Sequence, residues 1–150
     1  MPRVRIVLLS WLIVLGASFG AEARDVIAGP VAAEVVRVVD GDTLIVRARI
    51  WIGQTVEVHV RLAGIDAPEI KGKCAEERAS AERARAYLAA LTRSGRVRLT
   101  GISSDKYGGR VIAHVASDEA PDLGAALSAR GLARVYDGRK RGGWCGLNEG

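Results

Sequence analysis

Four carboxylates stand where this chain must leave a strand: Asp40 and Asp42 in Asp40-Gly41-Asp42-Thr43, and Asp66 and Glu69 in the segment from Gly64 to Glu69. Carboxylates gathered at neighbouring strand ends repel one another unless a cation sits among them. Oxygen donors with no Cys or His beside them select calcium or magnesium rather than zinc. Asp and Gly also make ordinary turns, and spacing alone does not choose between a turn and an ion site. Two arginines belong to the same question. Arg61 stands five residues before Asp66, and Arg110 directly follows Tyr107-Gly108-Gly109. A guanidinium grips phosphate with two parallel hydrogen bonds and can stabilise charge gathering in a transition state. An arginine on a small domain can equally be a solvated group or half of a weak ion pair. His59 and His114 each fall mid-strand without a partner in sequence and read as structural. Trp51 and Trp144 read as packing or loop-anchoring groups.

The elements that must position these groups are legible from periodicity. Val35 to Val39 is rich in β-branched residues and stops at Asp40-Gly41-Asp42, a strand followed by a reverse turn. Thr43 to Ile50 forms a second strand, Leu44, Val46 and Ala48 alternating against Ile45, Arg47 and Arg49. In the third, Val56, Val58, Val60 and Leu62 share one face and Glu57, His59 and Arg61 the other. Pro68 forces the chain out of the sheet. Residues 75–93 change to a helical period, with a stripe expected at Ala79, the Arg83 stem, Ala86, Tyr87, Ala90 and Leu91. Val97 to Ile102 and Arg110 to Val115 are two further strands around an Asp105–Gly109 turn, and Asp122 to Arg130 is a short helix. The order is three strands, helix, two strands, helix. It predicts an α+β domain with a small antiparallel barrel flanked by helices.

The 150 residues suffice for one domain with a real core, and 49% hydrophobic with 26% charged residues is a globular composition. A net charge of +5 carried mostly by arginine suits a polyanionic partner without requiring one. Arg3 and Arg5, the apolar run from Ile6 to Phe19, and Ala21-Glu22-Ala23 together predict a secretory signal peptide over residues 1–23, cleaved before Arg24. An uncleaved anchor is the alternative. Residues 24–32 then form a lead-in, and 33–150 the folded domain with a Gly- and Arg-rich tail. The two cysteines, Cys74 and Cys145, are expected to form one disulfide in an exported chain.

Four segments in order carry a resemblance. They are Val38-Val39-Asp40-Gly41-Asp42-Thr43, Val60 through Glu69, Asp105-Lys106-Tyr107-Gly108-Gly109-Arg110-Val111-Ile112-Ala113, and Gly131-Leu132-Ala133-Arg134. Over about residues 33–136 the chain resembles the staphylococcal nuclease, or thermonuclease, family. The resemblance implies a mainly β, five-stranded OB-type barrel with one calcium ion at its mouth. It makes Asp42 and Asp66 metal-binding carboxylates, lends the carbonyl of Ala67 to the ion, and puts Asp40 behind them. Glu69 matches the residue assigned to water activation, and Arg61 and Arg110 match the phosphate-contacting arginines. Lys106 and Tyr107 match groups that hold a terminal phosphate. Two departures stand out. The turn before Arg110 has one glycine more than the type member's, and the tail from Asp137 replaces a long Lys-rich helix. Tyr136 only loosely matches the substrate-stacking tyrosines.

The resemblance implies a calcium-dependent phosphodiesterase acting on DNA, RNA or both, and the predicted leader adds export to the periplasm or beyond; a monomer with no obligate protein partner is expected. Two rivals remain at this point. One is a catalytically inactive nucleic-acid or protein binding module on the same barrel. The other is an envelope protein holding polyanions, whose binding would depend steeply on salt and not on calcium.

Overall fold

Apolar residues alternating along five strands close a sheet on itself. The computed structural model describes residues 25–146, so the leader expected over residues 1–23 lies outside the described residues. In chain order the first elements are β1 (Val26–Ile27), β2 (Val31–Asp40), β3 (Thr43–Trp51), β4 (Gln54–Leu62) and β5 (Ile65–Asp66). Then come α1 (Ala75–Leu91), β6 (Arg96–Ser104), β7 (Arg110–Ser117), α2 (Leu123–Ala129) and β8 (Arg134–Val135). β2, β3 and β4 pair as an antiparallel meander, β6 returns to β2, and β7 pairs with β6. The barrel is completed by β4 against β7, the one parallel pair, with Arg61 opposite Ile112. The expected five-stranded α+β barrel is therefore present, with one pair parallel where all were expected antiparallel. The long crossover through α1 and β6 permits that direction.

Leu44, Val46, Val60, Leu62, Val97, Leu99 and Val115 fill the interior, joined from outside by Leu88 of α1 and Leu123 and Leu127 of α2. Each leucine so buried stabilises the fold by about 1.5–3 kcal/mol. The lead-in is more ordered than expected: Val26 and Ile27 pair with Ile102 and Ser103, and β2 already starts at Val31. The helix has its expected span and a different face. α1 buries Glu77, Ala81, Ala84, Leu88 and Leu91, whereas Ala79, Arg83, Ala86 and Ala90 are exposed. An alanine-rich helix offers small apolar residues on every side, so its composition does not mark the buried stripe. Trp51 does not pack. It is 73% exposed at the tip of the β3–β4 hairpin, with Ile50 and Ile52 beside it, because the hairpin extends beyond the body that would cover it. Among the described residues no helix is long and apolar enough to cross a membrane.

Cys74 and Cys145 are joined as expected, with Cα atoms 6.0 Å apart across a separation of 71 residues. The bond ties the tail to the entrance of α1, directly after the loop that carries Glu69. Gly41 sets how closely α1 approaches the barrel mouth. A Cβ there would lie 2.7 Å from the Ala84 Cβ and 2.9 Å from the Ala67 Cβ. Neither methyl can give way unless helix or loop shifts. Gly41→Ala is accordingly expected to lose about 1–3 kcal/mol by overpacking, measured as a lower urea midpoint. An unchanged midpoint would show that α1 does not rest on this turn.

Candidate active site

The mouth of the barrel is built where two connections meet. The first is the tight β2–β3 turn, in which Asp40 pairs with Thr43 and Gly41 and Asp42 lie between them. The second is the exit from β4 into β5 and the loop broken by Pro68. They are laced together across 25 residues: the Ala67 N–H donates to Asp42 Oδ2 at 3.3 Å, and the Leu62 N–H donates to the Asp42 carbonyl at 2.8 Å. Asp42 Oδ1 accepts from the Thr43 hydroxyl at 2.9 Å.

Arg61 lies on the strand face that periodicity assigned it, but it is not solvated. Only 7% exposed, it places Nη1 2.8 Å from Asp42 Oδ2 and Nη2 3.6 Å from Asp66 Oδ1. Nη2 also donates to the Ile65 carbonyl at 3.3 Å. The guanidinium thus stands between two buried carboxylates. Asp66 is 2% exposed and is fixed in backbone by the β5–β8 pair, where it faces Arg134. Its Oδ2 accepts from Arg134 Nη2 at 3.3 Å and from Trp144 Nε1 at 3.2 Å. Its Oδ1 is buried and receives no hydrogen bond, although Arg141 Nε lies 3.2 Å away.

Arg141 also donates from Nη1 to Glu69 Oε1 at 2.8 Å. Partial burial works against its charge, but Asp66, Asp42 and Glu69 outweigh that and hold the proton more firmly than usual. Asp40 accepts from the Gly41 N–H at 2.8 Å. Burial pushes its carboxyl above the ordinary range against that hydrogen bond, and the charges of Asp42 and Glu69 push the same way. On the far wall, Arg110 bonds Asp105 through Nε and lies 5.0 Å from the centre of the Tyr107 ring. Burial raises the Asp105 carboxyl, but the Arg110 hydrogen bond and charge prevail and hold it below the usual range. The additional glycine is absorbed in the turn, where Gly109 has φ +77°, a conformation glycine adopts without strain. Arg110 still opens β7 opposite His59.

A cleft of about 550 Å³ brings together Asp40, Asp42, Arg61, Glu69, Lys106, Tyr107 and Arg110. Asp66 and Ala67 line the adjoining hollow beneath the tail. All the residues singled out in the sequence as metal-binding, catalytic or phosphate-holding therefore converge on one end of the barrel. His59 lies at the rim of the cleft, whereas His114 stands apart, 3.9 Å from Asp122. Sequence reasoning missed Arg134, Arg141 and the role of Trp144. Arg134 stands in the sequence only as part of a motif, and the other two lie in a stretch without periodicity. The signal available was Cys145 itself: a bond to Cys74, five residues beyond Glu69, draws the tail over the acids. Tyr136 joins that tail, its hydroxyl donating to the Arg139 carbonyl at 2.6 Å while its ring lines the cleft.

The arrangement gathers Arg61, Arg110, Lys106 and the Glu69 carboxylate around one cleft, a combination of charges suited to an anion beside an acid–base group. The family model described as staphylococcal nuclease homologue matches residues 59–143, more than half of the chain. The match takes in Arg61, Asp66, Glu69, Arg110 and Arg141. Asp40 and Asp42 lie before it and are brought to the site by the β2–β3 turn. The chain is 33% identical over 91 residues to a protein of Phaeosphaeria nodorum named "Probable endonuclease LCL3". It is 32% identical over 92 residues to a protein of the same name in Leptosphaeria maculans. Each alignment covers 59% of this chain and 30% of the relative, so the chain spans under a third of either relative's length.

Arg61→Ala would leave Asp42 and Asp66 buried without the guanidinium between them. Breaking a buried pair from one side costs about 3–5 kcal/mol, so the variant's urea midpoint is expected to fall by a corresponding amount. Arg61→Lys, which keeps the charge without the fork, is expected to fall between the two. A native midpoint for Arg61→Ala would mean that other cations already suffice.

Proposed function

This chain belongs to the staphylococcal nuclease homologue family, and on that premise we propose that it is an exported, calcium-dependent nuclease hydrolysing phosphodiester bonds of DNA, RNA or both. The observation that carries this reading is the cleft in which Glu69, Arg61 and Arg110 surround one space beside the buried carboxylates of Asp42 and Asp66. The name that the two relatives share supports cleavage within a chain. The apolar leader in the sequence and the Cys74–Cys145 bond support export to an oxidising compartment.

The donor set suits a hard divalent cation. Asp42, Asp66 and the Ala67 carbonyl offer oxygen alone, and Asp66 Oδ1 is a buried carboxylate oxygen to which nothing donates. Calcium held by these three residues would supply Lewis acidity and orientation to water and phosphate. The remaining work falls to the chain's own side chains. Glu69 reaches into the cleft with Oε1 bonded to Arg141, which leaves Oε2 to take the proton of the attacking water. Arg110 is held by Asp105 against the Tyr107 ring before any substrate arrives, so little reorganisation accompanies its approach to phosphate. Arg61 is fixed from below by Asp42, Asp66 and the Ile65 carbonyl. Lys106 and Tyr107, exposed at the rim, are available to a terminal phosphate. Nothing in this arrangement requires a ribose 2′-hydroxyl, so neither nucleic acid is favoured.

Incubation with single-stranded DNA and RNA is expected to give cleavage with calcium and none with excess chelator. Binding without cleavage in calcium would replace this reading with a non-catalytic binding module. Glu69→Ala and Arg110→Ala are each expected to lower kcat at least 100-fold, the scale for loss of a general base or of a transition-state donor. KM should change far less, and steady-state kinetics with near-native kcat in either variant would remove that residue from the chemistry.

A further inference from the structure

We propose that Trp144 and Arg134 are positioning residues for the metal-binding carboxylate Asp66, and that the Cys74–Cys145 bond keeps Trp144 in place. This rests on the reading of Asp66 as a calcium ligand and adds to it two residues and a covalent bond.

The two oxygens of Asp66 are treated differently. Oδ2 takes both good donors, Arg134 Nη2 at 3.3 Å and Trp144 Nε1 at 3.2 Å. Oδ1 takes none. It is also the oxygen that shares the Arg61 guanidinium with Asp42, and so the one on the side of the second carboxylate. A carboxylate bonded twice through one oxygen cannot rotate freely about its last bond. Its other oxygen is then presented toward Asp42 without any cost in conformational freedom when an ion arrives.

Neither donor would hold its orientation alone. Arg134 lies with its guanidinium carbon 4.0 Å from the centre of the Trp144 ring. Two of its other N–H groups go to tail carbonyls, Nη1 to Gly143 at 3.1 Å and Nη2 to Gly142 at 2.5 Å. The absence of a side chain at Gly142 lets the tail lie this close, since a Cβ there would come within 3.2 Å of Arg134 Nη1. Arg134 comes from β8, whose backbone is paired to Asp66 itself. Trp144, by contrast, belongs to a segment without helix or strand and directly precedes Cys145. The disulfide is thus the nearest constraint on where the indole N–H can point.

Trp144→Phe removes the N–H and keeps the ring that stacks on Arg134. Groups that orient a metal ligand from behind change affinity about 10–100-fold, so calcium titrated calorimetrically into the full protein is expected to bind this variant at least 10-fold more weakly. The melting temperature in chelator should fall only slightly, since Arg134 still donates to Asp66 Oδ2, so that the loss is read in calcium affinity rather than in folding. On a Cys145→Ser background, Trp144→Phe is expected to weaken calcium binding no further. Three outcomes would be adverse. If the native protein takes up no calcium, the calcium reading fails and this inference with it. If the native protein binds calcium and Trp144→Phe binds it equally, the positioning role alone is overturned. A full 10-fold effect of Trp144→Phe without the disulfide would overturn the part assigned to that bond.

Discussion

Two buried carboxylates cannot share the mouth of a small barrel unless positive charge stands between them, and here Arg61 supplies it. In a medium of low effective dielectric, the repulsion between Asp42 and Asp66 would otherwise drive the turn and the loop apart. The geometry of β4 is what permits the solution. Val60 and Leu62 point into the core on either side of Arg61, so the guanidinium emerges on the opposite face. There the β2–β3 turn and the β5 loop cover it. Placing Arg61 beneath both acids requires the turn to be tight, α1 to rest on Gly41, and β7 to flank β4 in parallel. The barrel's register and the site's electrostatics are one constraint seen from two directions.

Around that pair the cations form two tiers. Arg61 and Arg134 are held by the barrel and its short β5–β8 ribbon, whereas Arg141 arrives on the tail and reaches Asp66 and Glu69 from the solvent side. The lower tier is paired by backbone geometry and has little freedom. Arg134 and Arg141 are about equally exposed, but Arg141 has no strand to hold it, and its contacts are of the kind that water and salt weaken. Arg141 is therefore the cation that can exchange its partners for a ligand while the framework stays intact. Arg110 faces it across the cleft with its own carboxylate partner, which keeps that guanidinium aimed without drawing on the acids at the mouth.

Much of this was legible in the sequence, for reasons that differ by element. The strands declare themselves because Val46 and Ala48 alternate with Arg47 and Arg49, and a period of two matches the pleat of a strand but not the turn of a helix. The acids of the mouth were legible as a group through turn chemistry and the order of motifs. Their burial was not, because periodicity gives the face of Arg61 but not what lies over that face. The helix was found with Leu91 and Tyr87 on the correct side and the rest of its buried stripe misplaced, since Ala79, Ala86 and Ala90 look as apolar as Ala81 and Ala84. Trp51 was misread because an aromatic side chain suggests packing, while a hairpin tip has nothing to pack against. Arg141 and Trp144 escaped for a deeper reason. Their placement depends on a covalent bond between distant residues, and no local period encodes that.

The bond from Trp144 to Asp66 spans 78 residues, and the parallel pair joins the end of β4 to the start of β7. Contacts so far apart along a chain must meet a loop-closure entropy before they return any stabilisation, which makes topologies rich in them slow to form. The β2–β3–β4 meander, by contrast, is local and can form early. Early in folding the chain therefore holds Asp42 and Arg61 close together through neighbouring strands, while Asp66 still lacks its indole partner. Completion of the cleft therefore rests on its longest-range contacts, and a chain whose tail has yet to close leaves Asp66 without the indole that bonds it.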